Sequence, residues 1–123
     1  MEINKKVLSA VLGYEVTTVN VTNWENVEIN FGQTVIGIYK LAHLCKEWAL
    51  TKGCQIRSSY MALAFDEPFA EVIVEVGINE EGEKQLLIVT NQGEETEEET
   101  IFACCEWILD NQKLLDEIKE KSA

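Results

Sequence analysis

Apolar residues recur at helical spacing in three stretches of the chain, and each stretch carries the boundary signals of a helix. The first follows Asn4, a good capping residue, and precedes Gly13, which commonly ends a helix. The second starts at Thr34, another candidate cap, and the third at Thr96, where Glu99 can complete a capping box. We therefore predict helices over residues 5–12, 34–52 and from 96 onward.

Between these helices apolar and polar residues alternate, which is typical of strands. Val27, Ile29 and Phe31 are each separated by a polar residue, so they should share one buried face. The predicted strands are residues 14–22, 27–31, 55–65, 69–78 and 85–91, with a hairpin loop at 79–83. Residues 72–74 and 86–89 are apolar without interruption, so we expect helices on both faces of the sheet. The first short helix should cover the face that has less helix on it.

The pattern Cys-x-Glu-Trp-x-Leu occurs at residues 45–50 and again at 104–109, 59 residues later. Both copies lie in predicted helices that follow strand-like segments. The repeat predicts two ββα units that pack together, because neither unit can bury its apolar face alone. Trp48 and Trp107 should then anchor the core at equivalent positions.

These elements predict a single, sandwich-like α+β domain, in which a mostly antiparallel sheet of about five strands is flanked by helices. Residues 1–53 hold the short helix and the first ββα unit, residues 54–112 the second β-hairpin and helix, and residues 113–123 a charged helical tail. The apolar residues of the tail either pack on the domain or contact a second copy in a homodimer. They are Leu114, Leu115 and Ile118.

The charge of the chain limits the classes of partner that it can bind. The formal net charge is −12, from 22 acidic and 10 basic residues, and Arg57 is the only arginine. Such a chain repels a nucleic-acid backbone, so we expect no direct nucleic-acid binding. No apolar run approaches the roughly 18 residues that span a bilayer, and residues 1–6 lack the apolar core of a signal peptide. We therefore expect no membrane contact and a cytoplasmic location.

Four cysteines and one histidine are the residues best suited to chemistry, but their spacing argues against it. Cys45, Cys104 and Cys105 lie on apolar helix stripes, and no Cys-x-x-Cys pair occurs. Without an export signal we expect free thiols. His43 is turned roughly 200° from Cys45 around the helix. We expect no metal, no cofactor and no catalytic residue, because an enzyme here would need His43 beside a cysteine or carboxylate in a cleft.

Acidic residues are concentrated in residues 66–67, 79–83 and 94–99. If these segments meet, the protein has one strongly negative end that suits a basic partner. The alternative is a solvated surface, in which acids of a first helical turn stabilise the helix dipole by about 0.3–1 kcal/mol each. Trp24, in a polar turn, is a further contact candidate. The protein-contact candidates are Trp24, Asp66, Glu67, Glu80, Glu81, Glu94, Glu95, Glu97 and Glu98.

A second hypothesis is a small-ligand binding module. Its pocket would lie in the sheet or in a dimer groove, with Arg57 and Tyr60 as polar contacts.

Three features together carry a family resemblance. They are a short first helix ending in Val11-Leu12-Gly13, a long central helix with a tryptophan, and a closing helix that starts Thr96-x-x-x-Thr100-Ile101-x-x-Cys104. Over residues 3–110 the chain resembles small phage proteins with the phage ABA-sandwich domain. The resemblance implies a phage or prophage origin and a sheet flanked by helices. The family has no established activity, so it implies no functional residues.

The function predicted from these observations is that of a non-enzymatic accessory protein. It would act by binding another protein, and the more specific version is interference with a basic host protein in the host cytoplasm.

Overall fold

The chain folds as an α+β protein, with four helices and six strands in the part that the structure describes. This computed structural model describes residues 2–23, 25–61, 67–92, 94 and 96–122, apart from the side chains of Tyr60, Met61, Glu67 and Ser122. In chain order the elements are α1 (Lys5–Leu12), β1 (Val19–Thr22), β2 (Asn26–Ile29), β3 (Thr34–Gly37), α2 (Ile38–Thr51), β4 (Gln55–Met61), β5 (Glu67–Ile78), β6 (Lys84–Asn91), α3 (Glu97–Asp110) and α4 (Gln112–Ser122). None of these helices is long and apolar enough to cross a bilayer.

The described strands form two antiparallel sheets of three strands each, ordered β1-β2-β3 and β4-β5-β6. The prediction of about five strands in one sheet is therefore wrong. The strand that the pattern does not predict is β3, since Thr34 to Gly37 fall within the predicted second helix. Asn30 and Phe31 adopt positive φ angles of 54° and 57°, so the chain turns back and pairs Thr34 with Ile29. As a result, α2 begins at Ile38.

The two halves of the chain nevertheless repeat one arrangement, a three-stranded sheet followed by a helix of 14 residues. The repeating unit is thus βββα and not ββα. α2 and α3 contact each other, and both contact β4. Trp48 is buried on α2, while Trp107 is partly buried against the core on α3.

Most of the core lies between these two helices and the inner face of the second sheet. Alternate residues of β4 and β5 point inward, as expected for strands with one buried face. The fully or nearly fully buried side chains include Ile38, Leu41, Cys45, Ile56, Val72, Val74, Ile101, Cys104 and Ile108. α1 packs on α2 and α3, where its buried Val7 and Leu8 join the same core.

The outer face of the second sheet is open to solvent. Leu86 and Ile88 are 52% and 50% exposed, although both lie in an uninterrupted apolar run. The expectation that a helix covers each face, with α1 on the less covered one, is wrong, because α1 contacts the two long helices instead.

The C-terminal tail forms α4, which packs against β5. Leu115 is buried, whereas Leu114 is 40% exposed. The tail therefore packs on the domain, which is one of its two predicted roles.

Candidate functional site

The acidic segments lie at two opposite ends of the second sheet. Glu80 and Glu81 belong to the hairpin before β6, while Glu94 and α3 follow the end of β6. The eight residues of β6 separate these ends by about 25 Å at the usual rise per residue. The acidic segments therefore do not meet at one negative end, because the 79–83 loop lies at the end of the sheet opposite Glu94. The pairing of Met61 with Glu67 places the backbone of Glu67 at the same end as Glu94.

Trp24, Asp66 and Glu95 lie outside the described residues, as do the side chains of Glu67 and Tyr60.

The first turn of α3 is fixed by side-chain hydrogen bonds. The Thr96 hydroxyl oxygen accepts a bond from the backbone N–H of Glu99 at 3.2 Å, and the same hydroxyl lies 3.2 Å from Glu99 Oε1. Ser58 on β4 donates to Glu97 Oε2 at 2.7 Å. Glu97 thus ties the helix to the sheet, while Glu97 and Glu98 both stabilise the helix dipole. Two of the predicted contact acids therefore have a structural role.

A groove runs between the N-terminal segment and α3, and we call it the N-terminal groove. It consists of a cavity of about 640 Å³ and an adjoining one of about 80 Å³. The two cavities share Glu2, Asn4 and Glu106 as lining residues. Asn4 holds this segment in place, because its side-chain oxygen accepts bonds from the backbone N–H groups of Lys6 and Val7 at 2.8 and 3.3 Å.

The N-terminal groove combines carboxylates with apolar side chains. Five carboxylates line the groove as a whole, and two lysines, Lys5 and Lys6, line its larger cavity. The carboxylates belong to Glu2, Glu94, Glu99, Glu106 and Asp110. The apolar lining comes from Ile3, Val19, Val21, Phe102 and Ala103, of which Ile3 and Phe102 are almost wholly buried. This lining suits a segment that carries both positive charges and apolar side chains.

Only Glu94 among the groove carboxylates was a predicted contact residue. A sequence signal for three others exists, since Glu99, Glu106 and Asp110 fall within an arc of about 40° on α3 at the helical repeat. The sequence alone gives no sign that Glu2 lines the same groove, because its position depends on where the N-terminal segment packs.

All four cysteines are buried free thiols. Burial raises the pKa of Cys104 to about 11, with a smaller lowering by its bond from Asn91 Nδ2 at 3.3 Å and a smaller raising by Glu71. Contact with the Cys45 side chain, followed by burial, raises the pKa of Cys105, and burial raises that of Cys54. Such thiols stay protonated and are poor nucleophiles. No cluster of potential metal ligands occurs among the described residues.

His43 lies on the open surface of α2. Its side chain is 69% exposed, and Nε2 is 2.7 Å from Oε1 of Glu47, one helical turn away. The catalytic alternative required a cleft around this histidine and a nearby cysteine or carboxylate. Glu47 supplies the carboxylate, but His43 lies on an open surface and not in a cleft. The cysteines are buried.

Arg57 lies on the outer face of the second sheet. Its Nη2 is 3.1 Å from Glu71 Oε1 on the neighbouring strand, and its side chain is 65% exposed. The guanidinium that the ligand hypothesis needs is thus already paired, and a pocket shared with Tyr60 stays a prediction.

Comparisons of the chain with family models, with curated proteins and with solved structures found no match.

Proposed function

We propose that this protein is a non-enzymatic accessory protein that acts by binding a basic segment of another protein in the N-terminal groove. The observation that carries the proposal is the composition of that groove, which is lined by five carboxylates, two lysines and several apolar side chains. The placement of His43 and of the buried thiols gives no comparable support to an enzyme.

The groove favours a segment in which lysine or arginine alternates with apolar residues. Positive side chains would pair with Glu106 and Asp110 on α3, while apolar side chains would contact Val19 and Val21 on β1. The apolar contacts would add to the ion pairs, which contribute only about 0–1 kcal/mol each when they are exposed. The carboxylates would select basic partners and speed association, and this contribution falls as salt rises.

The biological setting belongs to the same proposal. The resemblance to small phage proteins favours a phage or prophage origin, so the partner would be a basic host protein in the host cytoplasm. The net charge of −12 supports attraction to such a protein over a distance.

A peptide-binding experiment tests the groove directly. The probe is a fluorescent peptide of alternating lysine and leucine, and its anisotropy is followed with increasing protein at low and high salt. We expect binding that weakens as salt rises. The double variant Glu106→Lys/Asp110→Lys should weaken binding by about tenfold or more, because it reverses two charges of the groove wall.

The matched control is Glu80→Lys/Glu81→Lys, which changes the net charge equally at the opposite end of the second sheet. It should leave the affinity nearly unchanged. Equal losses in the two double variants would mean that overall charge alone attracts the peptide, and the groove would then not be the binding site.

A further inference from the structure

β1 is an edge strand that forms one wall of the N-terminal groove. Among the described strands it pairs only with β2, and Val19 and Val21 line the larger cavity of the groove. These two valines pair with Ile29 and Val27 on β2, which are both completely buried. Because directly opposite residues of an antiparallel pair share a face, the valines belong to the inner face of the first sheet. The groove therefore opens where that inner face reaches the edge of the sheet.

A backbone hydrogen bond next to β1 shows which of its groups point to the open edge. The N–H of Asn30 donates to the Thr18 carbonyl at 2.9 Å, so Thr18 directs its backbone groups toward β2. Hydrogen-bonded and non-hydrogen-bonded residues alternate along an antiparallel pair. Val19 and Val21 therefore direct their backbone N–H and C=O groups away from β2.

A bond on the other side of β2 gives the same result independently. The N–H of Ile38 donates to the Glu25 carbonyl at 2.8 Å, so Glu25 points toward β3. By the same alternation Val27 and Ile29 also point toward β3, and they do not bond to the valines opposite them on β1. The side chains that line the groove and the free backbone groups at its edge thus belong to the same two valines.

The facing wall of the cavity carries carboxylates that form no ion pair. Glu106 and Asp110 lie one turn apart on α3, and both are exposed and line the larger cavity. None of the ion pairs among the described residues includes either carboxylate, or either of the two lysines of this cavity. These carboxylates are therefore available to positive side chains that a partner brings.

We propose that the segment bound by this groove is extended, has lysine or arginine at every second position, and adds to the open edge of β1 as an antiparallel strand. The inference rests on the proposed function, since it concerns the same groove, and it specifies the conformation of the bound segment. Its residues opposite Val19 and Val21 bond to their backbone groups and share their inner face. The pairing is antiparallel, as between β1 and β2, because antiparallel pairs are slightly more stable than parallel ones.

A basic residue at an inner-facing position fits both walls of the groove. Its aliphatic stem lies along Val19 or Val21, and its charged group extends toward Glu106 or Asp110. The apolar contacts with β1 thus come from the stems of the basic residues, while the residues between them face away from the groove. In this mode of recognition the backbone bonds supply affinity and the alternate side chains supply specificity.

N-methylated peptides test the backbone bonds. The probe is the alternating lysine and leucine peptide, N-methylated at its lysine amides or, as the matched control, at the same number of leucine amides. The lysine amides donate to β1, so their methylation should weaken binding by about tenfold or more. The leucine amides face away from β1, and the control peptide should bind nearly as tightly as the unmodified one.

Amide hydrogen exchange measured by NMR locates the added strand on the protein. The amides of Val19 and Val21 should lose their fast exchange when the unmodified peptide is added, because they become hydrogen-bonded. The amide of Asn20 is the internal control, since it already faces β2 and should change far less. The amides of β6, an edge strand of the other sheet, should not change.

The outcomes separate this inference from the proposed function. Equal affinities of the two methylated peptides, or a larger loss from leucine methylation, would overturn the added strand while leaving the groove as the binding site. Protection of β6 amides in place of the two valine amides would overturn both, because the peptide would then bind outside the groove. An unmodified peptide that does not bind at all would also overturn both.

Discussion

The turn between β2 and β3 shows how much single residues decide in this chain. Asn30 Oδ1 accepts bonds from the backbone N–H and the hydroxyl of Thr17 at 2.8 and 3.1 Å, and its Nδ2 donates to the Glu15 carbonyl at 3.0 Å. These bonds attach the segment before β1 to the turn. The next residue, Phe31, has a φ of 57° and a side chain that is 88% exposed. The alternating pattern predicted a buried Phe31 at the end of a strand, and that prediction is wrong because the turn begins one residue earlier.

Phe31→Asn should stabilise the fold. A bulky residue in the left-handed region costs about 1–2 kcal/mol, whereas asparagine adopts that region more readily, and little buried surface is lost with the exposed ring. We expect the free energy of unfolding in urea to rise by about 1 kcal/mol. The control Val35→Asn, on extended backbone, should not stabilise the chain. A destabilised Phe31→Asn variant would show that the ring makes contacts that outweigh the strain.

At the scale of elements, local signals explain most of the helices. The caps at Asn4 and Thr96 and the end of α1 at Gly13 (φ 80°) are confirmed, because each depends on neighbours within one turn. The predicted start of α2 at Thr34 is wrong, since Thr34 can either cap a helix or enter a strand. Pairing with Ile29 decides between the two, and that contact forms only when the intervening turn closes.

The tail offers a test of packing at this scale. Leu114 and Leu115 are adjacent, but only Leu115 is buried. Leu115→Ala should lower the free energy of unfolding by about 2–3 kcal/mol through the lost contacts and the cavity. Leu114→Ala should change it by about 0.5 kcal/mol or less. Equal losses, measured by urea unfolding, would contradict the packing of α4 on β5.

At the scale of the whole molecule, the buried thiols make the free energy of unfolding vary with pH in the alkaline range. The pKa of Cys104 is about 11 in the folded chain and about 9 when the thiol is free in water. Between these values the unfolded chain loses a proton that the folded chain keeps, so stability falls as pH rises from about 9 to about 11. Below this window the thiol is protonated in both states and contributes no pH dependence.

Cys104→Ala should make the decline in unfolding free energy between pH 9 and 11 less steep, because it removes one group whose pKa differs between the two states. Unfolding curves at several pH values measure this slope. Ile108→Val is the control, since it also removes buried volume from α3 but no titratable group. An unchanged slope in Cys104→Ala would contradict the raised pKa.

The candidate site illustrates the same division between local and long-range information. The acidity of Glu94, Glu95, Glu97 and Glu98 predicts a contact segment, and Glu94 lines the N-terminal groove. Acidity alone connects the 79–83 loop with these residues. β6 carries the chain to the far end of the sheet, so composition could not show that the two segments are separated.

By itself the sequence determined the α+β class, the caps of α1 and α3, and the apolar helix stripes on which Cys45, Cys104 and Cys105 are buried. All of these depend on residues within a few positions of one another, where spacing alone fixes which side chains share a face. Only the tertiary structure decided that the six described strands form two sheets, that Glu2 lines the same groove as Glu106, and that no residue of β6 is buried. These features depend on contacts between distant segments, and the local pattern is the same whether or not those contacts form.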